Sequence, residues 1–120
     1  MGSEKKHKDL AERLFEFAVN VLNYLRTISN SEESRIIKKQ LARSSTSSGA
    51  NYEESQSSSS KLDFRNKVFI ALKEMRESNY WLRICKAMNY GETQTREELI
   101  NESTELKKIL GSIVTKLSKK

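Results

Sequence analysis

The sequence contains no proline, one cysteine, one histidine and four glycines among its 120 residues. Because β-sandwiches and β-barrels need many tight turns, which draw on proline and glycine, this composition argues against them. The lone cysteine, Cys85, excludes an internal disulfide and a cysteine metal cluster. No run approaches the length of about 18 apolar residues that a membrane-spanning helix needs. The N-terminal residues lack the apolar core of a signal peptide, so we expect a soluble protein of the reducing cytoplasm.

Patterns that indicate catalysis or metal binding are also missing. His7 is the only histidine, and it lies in a charged segment, so a serine or cysteine nucleophile has no evident base. The glycines stand alone and form no phosphate-binding loop, and with a single histidine the chain cannot supply the two Glu-x-x-His motifs of a di-iron bundle. We therefore expect no enzymatic activity, no cofactor and no metal. Cys85 is interpreted as a core residue, with a reactive thiol as the alternative.

The charge balance of the chain is positive. Lysine and arginine number 22 against 16 aspartate and glutamate, which gives a net charge of +6 and a pI near 9.5. This surplus modestly favours a polyanionic partner such as a nucleic acid. The apolar fraction of 36% suffices for one small core.

Apolar residues recur at steps of three and four along most of the chain, which is the period of an amphipathic helix. The predicted helices cover residues 9–28, 34–57, 61–88 and 95–118. Four long helices with short connections predict an all-α fold, an antiparallel up-down-up-down four-helix bundle forming a single domain over residues 9–118. Residues 1–8 are predicted to be a flexible basic N-terminus.

Capping residues mark the predicted starts of these helices. A capping side chain accepts a hydrogen bond from an otherwise unpaired amide in the first helical turn. The predicted N-caps are Asp9, Ser31, Ser60 and Thr95.

The segment 44–60 holds nine serines, one threonine and one glycine. By composition it is a flexible linker. Its spacing favours a helix instead, because Leu41, Ser44 and Ser48 continue one helical face. A serine hydroxyl in such a helix can bond the carbonyl four residues earlier. We predict that the second helix continues through most of this segment, with the linker as the alternative.

Basic residues recur at helical spacing in two of the predicted helices. Three in the second helix are spaced four residues apart, and three in the third helix share a face with Tyr80. Cations beside an aromatic ring suit phosphates and unstacked bases. The candidate nucleic-acid-binding residues are Arg35, Lys38, Lys39, Arg43, Lys73, Arg76 and Arg83. The alternative is a solvated face whose charges pair with nearby carboxylates such as Glu77, which follows Lys73 and Arg76 closely in sequence.

Tyr80 and Trp81 are adjacent, so they cannot both face the same core of a helix bundle. One of them could meet a second subunit or a ligand, and burial between helices of the same chain is equally compatible with the pattern. If the protein is an assembly module without a nucleic-acid role, the candidate interface residues are Tyr52, Tyr80 and Trp81.

Two segments carry a resemblance to a known family. They are RSSTSSGANYEES, residues 43–55, and ALKEMRESNYWLR, residues 71–83. Both resemble the four-helix-bundle proteins encoded by intervening sequences in bacterial 23S rRNA genes, and the resemblance extends over about residues 10–117. It implies that the serine-rich segment lies inside the second helix. Serines stand at three positions where the family usually has Ala or Ile, so this helix face is more polar here.

The resemblance also implies a function. The family is similar in fold to the accessory proteins of diversity-generating retroelements, which form homopentameric barrels and bind a reverse transcriptase and nucleic acid. It therefore implies a non-catalytic accessory protein that binds nucleic acid, with RNA favoured, and that assembles as a homo-oligomer. A protein-only oligomeric module is the alternative. The sequence leaves open whether the gene lies in an rRNA gene or beside a reverse transcriptase.

Overall fold

The computed structural model describes residues 9–118, and four α-helices make up most of them. These helices are α1 (Leu10–Leu25), α2 (Glu32–Ser55), α3 (Lys61–Ala87) and α4 (Thr93–Ser118). Residues 9–118 contain no β-strand, so the predicted all-α class is confirmed. None of the helices in this range has the length and apolar character needed to cross a lipid bilayer. The predicted flexible segment 1–8 lies outside the described residues.

Side-chain caps explain where the helices begin. Asp9 accepts a hydrogen bond from the amide of Glu12 at 2.9 Å, and Ser60 accepts one from the amide of Asp63 at 3.0 Å. Ser31 accepts from the amide of Ser34, whose hydroxyl in turn accepts from the amide of Ser31. This reciprocal pair satisfies two free amides of α2 at once.

The predicted cap of the fourth helix is wrong. The helix α4 begins at Thr93 rather than at a residue after Thr95. The carboxylate of Glu92 accepts hydrogen bonds from the amides of Gln94 at 3.1 Å and Thr95 at 2.8 Å. Hydrogen bonds from Thr95, through its hydroxyl first and then its amide, lower the pKa of Glu92. A carboxylate is a stronger acceptor here than a hydroxyl, because it also meets the positive end of the helix dipole.

The serine-rich segment is helical as far as Ser55, so the linker interpretation of its first part is wrong. Its buried hydroxyls have partners. The hydroxyls of Ser44 and Ser78 hydrogen-bond at 2.8 Å, and Ser48 donates to the carbonyl of Ala71 at 2.7 Å. These bonds let polar side chains occupy the interface between α2 and α3 without an unpaired group. Only the short segment 56–60 connects the two helices.

The helices surround one core. The helix α1 packs on α2 and α4, and α3 packs on the same two neighbours. Contacts between α3 and α4 run in opposite residue order, since Arg65 contacts Ser118 while Lys86 contacts Glu97. The same holds for α2 and α3, since Ser44 contacts Ser78 while Ser48 contacts Ala71. The largest side chains that are almost fully buried are Tyr24, Phe17, Leu14, Leu41, Met75, Leu82, Leu106 and Leu110.

The turn between α3 and α4 is held against α1. Gly91 has a φ of 73°, in the left-handed region that favours glycine. The carbonyl of Tyr90 accepts two hydrogen bonds. The hydroxyl of Tyr24 donates one at 2.7 Å, and the guanidinium of Arg96 donates the other at 2.8 Å. The amide of Glu92 also donates to the hydroxyl of Thr27 on the α1 side at 2.9 Å. Three hydrogen bonds therefore define the path of this turn.

A buried arginine joins α1 to α4. The Arg13 side chain is 8% exposed, and its guanidinium donates to Glu102 at 2.9 and 3.1 Å and to Glu105 at 2.8 Å. Hydrogen bonding to Glu102 is the main cause that raises the pKa of Arg13. The charge is therefore retained despite its burial, because two carboxylates compensate it.

Candidate nucleic-acid interface

The outward face of α3 combines cations with aromatic rings. Steps of three and four residues bring six side chains to this face, opposite the buried positions of the helix. We call this set the α3 row, and it consists of Arg65, Phe69, Lys73, Arg76, Tyr80 and Arg83. At 1.5 Å per residue the row is about 27 Å long.

The two rings of the α3 row are exposed and lie next to cations. Phe69 is 40% exposed and Tyr80 is 49% exposed. The charged groups of Arg65 and Lys73 lie 6.0 and 5.8 Å from the centre of the Phe69 ring. The guanidinium of Arg83 lies 5.8 Å from the centre of the Tyr80 ring. The cations lie over the rings, so each ring forms part of a positive surface and its face is partly covered by a cation.

The neighbouring helix α4 extends this positive surface. The half-buried Lys107 donates to the side-chain oxygen of Asn79 at 3.3 Å, and Arg83 donates to the same oxygen at 3.1 Å. Burial lowers the pKa of Lys107, and the charges of Arg83, Arg76 and Lys108 lower it further. Three cations are therefore close enough to Lys107 to repel its charge, and one of them, Arg83, shares the side-chain oxygen of Asn79 with it. An incoming anion would relieve this repulsion.

The basic residues of α2 are arranged differently. Arg43 forms ion pairs with Glu74, at 3.1 Å, and with Glu77. Lys38 donates to the carbonyl of Ile28 at 2.9 Å and to the side chain of Asn30 at 2.6 Å. These two cations serve contacts within the fold, but only Arg43 pairs with carboxylates as the solvated-face alternative expects. The remaining two members of the predicted set on this helix, at positions 35 and 39, are exposed.

Glu77 pairs with a cation of α2 and not with the neighbouring cations of α3. The solvated-face alternative pairs Glu77 with Lys73 or Arg76. In the structure the Glu77 carboxylate lies on the α2 side of α3 and contacts Arg43 and Trp81 instead. Among the described residues, neither Lys73 nor Arg76 forms an ion pair. The structure therefore brings Lys73, Arg76 and Arg83 together on one face and separates them from the basic residues of α2.

The three aromatic candidates differ in their exposure. Tyr80 projects outward, and its ring makes an edge-to-face contact with Trp81 at 5.2 Å between ring centres. Trp81 is half-buried against the core, and its indole nitrogen donates to Glu77 at 3.1 Å. Tyr52 also packs against the core, and burial raises its pKa. Of the three, Tyr80 offers the most surface to a ligand.

Some members of this surface were missed by sequence reasoning. Arg65 and Phe69 continue the spacing of the α3 row toward its N-terminal end, so extending the pattern by two steps would have found them. Lys107 and Asn79 could not be found in this way. Their contact depends on how α4 is aligned along α3, and residue spacing within one helix carries no information on that alignment.

A second surface feature lies between α1 and α2. An apolar groove of about 310 Å³ runs between these helices. On its α1 side, Phe15 is 67% exposed, Val19 39% and Leu22 42%. Small residues of α2, including Gly49, form the other wall, with Leu14 close beneath. This groove is apolar and exposed, whereas the α3 row is basic.

The remaining candidate for chemistry is the thiol of Cys85. It is fully buried, and burial raises its pKa. A protonated, buried thiol is a poor nucleophile. Within residues 9–118, no group of three or more His, Cys, Asp or Glu side chains is arranged to hold a metal ion.

These features define the protein first as a small four-helix protein with a basic outer face on α3. Residues 6–112 match the family of 23S rRNA-intervening sequence proteins, and the chain belongs to this family. The resemblance carried by the segments 43–55 and 71–83 is thereby confirmed.

A solved structure extends the comparison to three dimensions. The chain is similar to a Bacteroides thetaiotaomicron protein of unknown function from the S23 ribosomal protein family, whose crystal structure gives a TM-score of 0.80. The two sequences are 38% identical, over 88% of this chain and 98% of the other. A comparison with curated proteins gives no match. The chain therefore has both the family and the fold in common with that protein.

Proposed function

We propose that this protein binds RNA through the α3 row and the adjoining part of α4, without catalysing a reaction on it. The observation that carries the proposal is the group Lys73, Arg76 and Arg83, whose charges are not paired with any described carboxylate. Lys107 adds a further charge beside them. Such cations contact phosphates, which supply affinity and position the nucleic acid rather than read its sequence.

The α2 residues take a smaller part in this proposal. Arg35 and Lys39 are exposed and could add phosphate contacts at a distance from the α3 row. Lys38 and Arg43 already contact groups of the fold, and releasing them would cost those contacts. We therefore assign the main binding surface to α3 and α4.

We further propose that copies of the chain assemble into a ring. The family's similarity to retroelement accessory proteins implies five subunits and a reverse transcriptase as protein partner, in the bacterial cytoplasm. The opposite residue order of the helix contacts supports the antiparallel up-down-up-down arrangement predicted for each subunit. Five basic faces on one particle would add individually weak phosphate contacts on a single RNA.

A salt titration with a structured RNA tests the binding surface. The double variant Arg76→Gln with Arg83→Gln is compared with Arg35→Gln with Lys39→Gln, which removes the same charge from α2. We expect the wild-type protein to bind at micromolar concentration or tighter at low salt. The α3 variant should lose at least about tenfold in affinity, and its slope of log K against log salt should shrink by about 1.4–1.8.

The matched α2 variant controls for the loss of net charge. If the RNA affinity falls equally in both variants, RNA is attracted by the net charge of the protein, and the α3 row is not the binding site. If the wild-type protein binds no RNA at low salt, the proposed function is wrong. Duplex DNA, titrated in parallel, measures any preference for RNA.

A protein-only assembly module is the second candidate, and the apolar groove between α1 and α2 favours it. Exposed Phe15, Val19 and Leu22 form an apolar surface of the kind that subunit interfaces cover. On this hypothesis the oligomer is the function, and the basic residues keep it soluble. The groove is compatible with both candidates, because the proposed RNA-binding protein also assembles.

The variant Leu22→Asp tests the role of the groove. A buried carboxylate in a subunit interface is strongly unfavourable, so we expect the oligomer to dissociate toward the 13.9 kDa monomer in light scattering after gel filtration. Because Leu22 is 42% exposed in the single chain, helicity and thermal stability should change little. Ile36→Asp, at a 61% exposed position outside the groove, is the control. An unchanged mass for Leu22→Asp would show that the groove is not the interface.

A further inference from the structure

We propose that the α3 row binds an unpaired stretch of RNA, with one base stacked on Phe69 and another on Tyr80 and with the intervening phosphates on the cations between them. This inference rests on the proposed function and specifies the part of an RNA that the surface takes. It predicts a preference for single strands over duplex of the same sequence.

The placement of the rings supports this inference. Phe69 and Tyr80 are 11 positions apart on one outward helical face, with Lys73 and Arg76 between them. The helical rise puts their backbones about 17 Å apart. A strand with the stacked spacing of about 3.4 Å per nucleotide covers that distance in about five nucleotides, and a more extended strand needs fewer. One short unpaired segment can therefore reach both rings and both cations.

The exposure of the rings is the second argument. Neither ring belongs to the buried core, and each residue keeps about half of its surface exposed to water. Arg65 and Lys73 lie over the Phe69 ring, and Arg83 lies over the Tyr80 ring. A base that stacks on either ring therefore displaces a cation from the ring face, and this cation can then contact the adjoining phosphate. Aromatic rings flanked by cations are the usual surface on which single strands stack.

A duplex could not use this surface in the same way. Its base faces are covered by their neighbours in the stack, and only phosphates and groove edges are open to a protein. The cations of the α3 row would still contact the phosphates of a duplex. The rings would add little, so the difference between single strand and duplex measures their contribution.

The chain carries its own reporter for this contact. Trp81 is the only tryptophan, and its ring lies 5.2 Å from that of Tyr80. A base that stacks on Tyr80 would change the surroundings of the indole through the Tyr80 ring. Intrinsic fluorescence should therefore change when a single strand binds, and much less when a duplex binds.

The test uses a 15-nucleotide RNA of mixed sequence, alone and annealed to its complement, with the full chain. The variant Phe69→Leu with Tyr80→Leu removes the flat rings and retains apolar side chains. The variant Phe69→Tyr with Tyr80→Phe retains both rings and is the matched control. Circular dichroism checks that both variants keep the helical content and melting temperature of the wild type.

We expect the wild-type protein to bind the single strand at least about tenfold more tightly than the duplex. The leucine variant should lose this preference, because its affinity for the single strand falls much more than its affinity for the duplex, while the ring-retaining variant should keep the preference. Equal wild-type affinity for the two RNAs, or an undiminished preference in the leucine variant, would overturn the stacking inference. In that case salt-dependent binding of the duplex would leave the proposed function standing, whereas no binding of either RNA would overturn both.

Discussion

Replacing Gly91 with alanine is expected to lower the free energy of unfolding by about 3 kcal/mol. A methyl group at this position would lie 2.7 Å from a ring carbon of Tyr24, 2.8 Å from the hydroxyl of Thr27 and 3.0 Å from Ile28. The φ of 73° adds a backbone penalty for any residue with a side chain. For a chain of this size the melting temperature should fall by about 10 °C or more.

Gly111→Ala is the control for this prediction. Gly111 lies inside α4, and no described atom lies within 4 Å of the position that its Cβ would take. Alanine is favoured over glycine inside helices, so this variant should be more stable by about 0.5–1 kcal/mol. Thermal and urea unfolding measure both effects. An equal or higher stability for Gly91→Ala would mean that the turn is not held against α1 as described.

The second large effect is expected for Arg13→Met, which should lower the free energy of unfolding by about 2–3 kcal/mol. The substitution removes a nearly buried guanidinium and leaves Glu102, which is only 17% exposed, without that cation. The effect should be smaller than for a fully buried pair, because Glu105 is 53% exposed and can be hydrated. Urea unfolding at neutral pH and moderate salt measures it.

Arg43→Met provides a matched comparison. Arg43 also bridges two glutamates between helices, but its side chain is 47% exposed. Solvent and salt weaken such pairs, so this substitution should cost less than about 1 kcal/mol. The double variant Arg13→Met with Glu102→Gln should recover part of the stability lost by Arg13→Met, because it also removes the carboxylate charge. Equal losses for Arg13→Met and Arg43→Met would contradict the assigned role of burial.

The fold was largely predictable because it depends on patterns within single helices. The period of apolar residues located all four helices, and the side chains of Asp9, Ser31 and Ser60 located three helix starts. The start of α4 was placed too late, because Thr95 matches the usual capping pattern while the stronger acceptor, Glu92, lies three residues earlier. Residue type alone does not show which of two nearby acceptors will bind the free amides of the first helical turn.

The candidate surface was predictable only in part. The spacing of Lys73, Arg76 and Arg83 put them on one face, and the structure has the same arrangement. The pairing of Arg43 with Glu77 and the contact of Lys107 with Asn79 depend on the alignment of neighbouring helices. One of these contacts removes a cation from the candidate site and the other adds one, so helix alignment determines which charges a ligand can meet.

The serine hydroxyls between α2 and α3 select one alignment of these helices over its neighbours. Close packing of the apolar side chains already favours one alignment, and the bonds that Ser44 and Ser48 form across the interface add to it. These serines are four residues apart, so a slip of α2 by one helical turn, about 5.4 Å, would bring one of them to the other's place and leave the second without its partner on α3, at about 1 kcal/mol. A segment with the composition of a disordered linker thus discriminates against misaligned packing. The same alignment keeps Glu74 and Glu77 beside Arg43, and so keeps two carboxylates away from the cations of the α3 row.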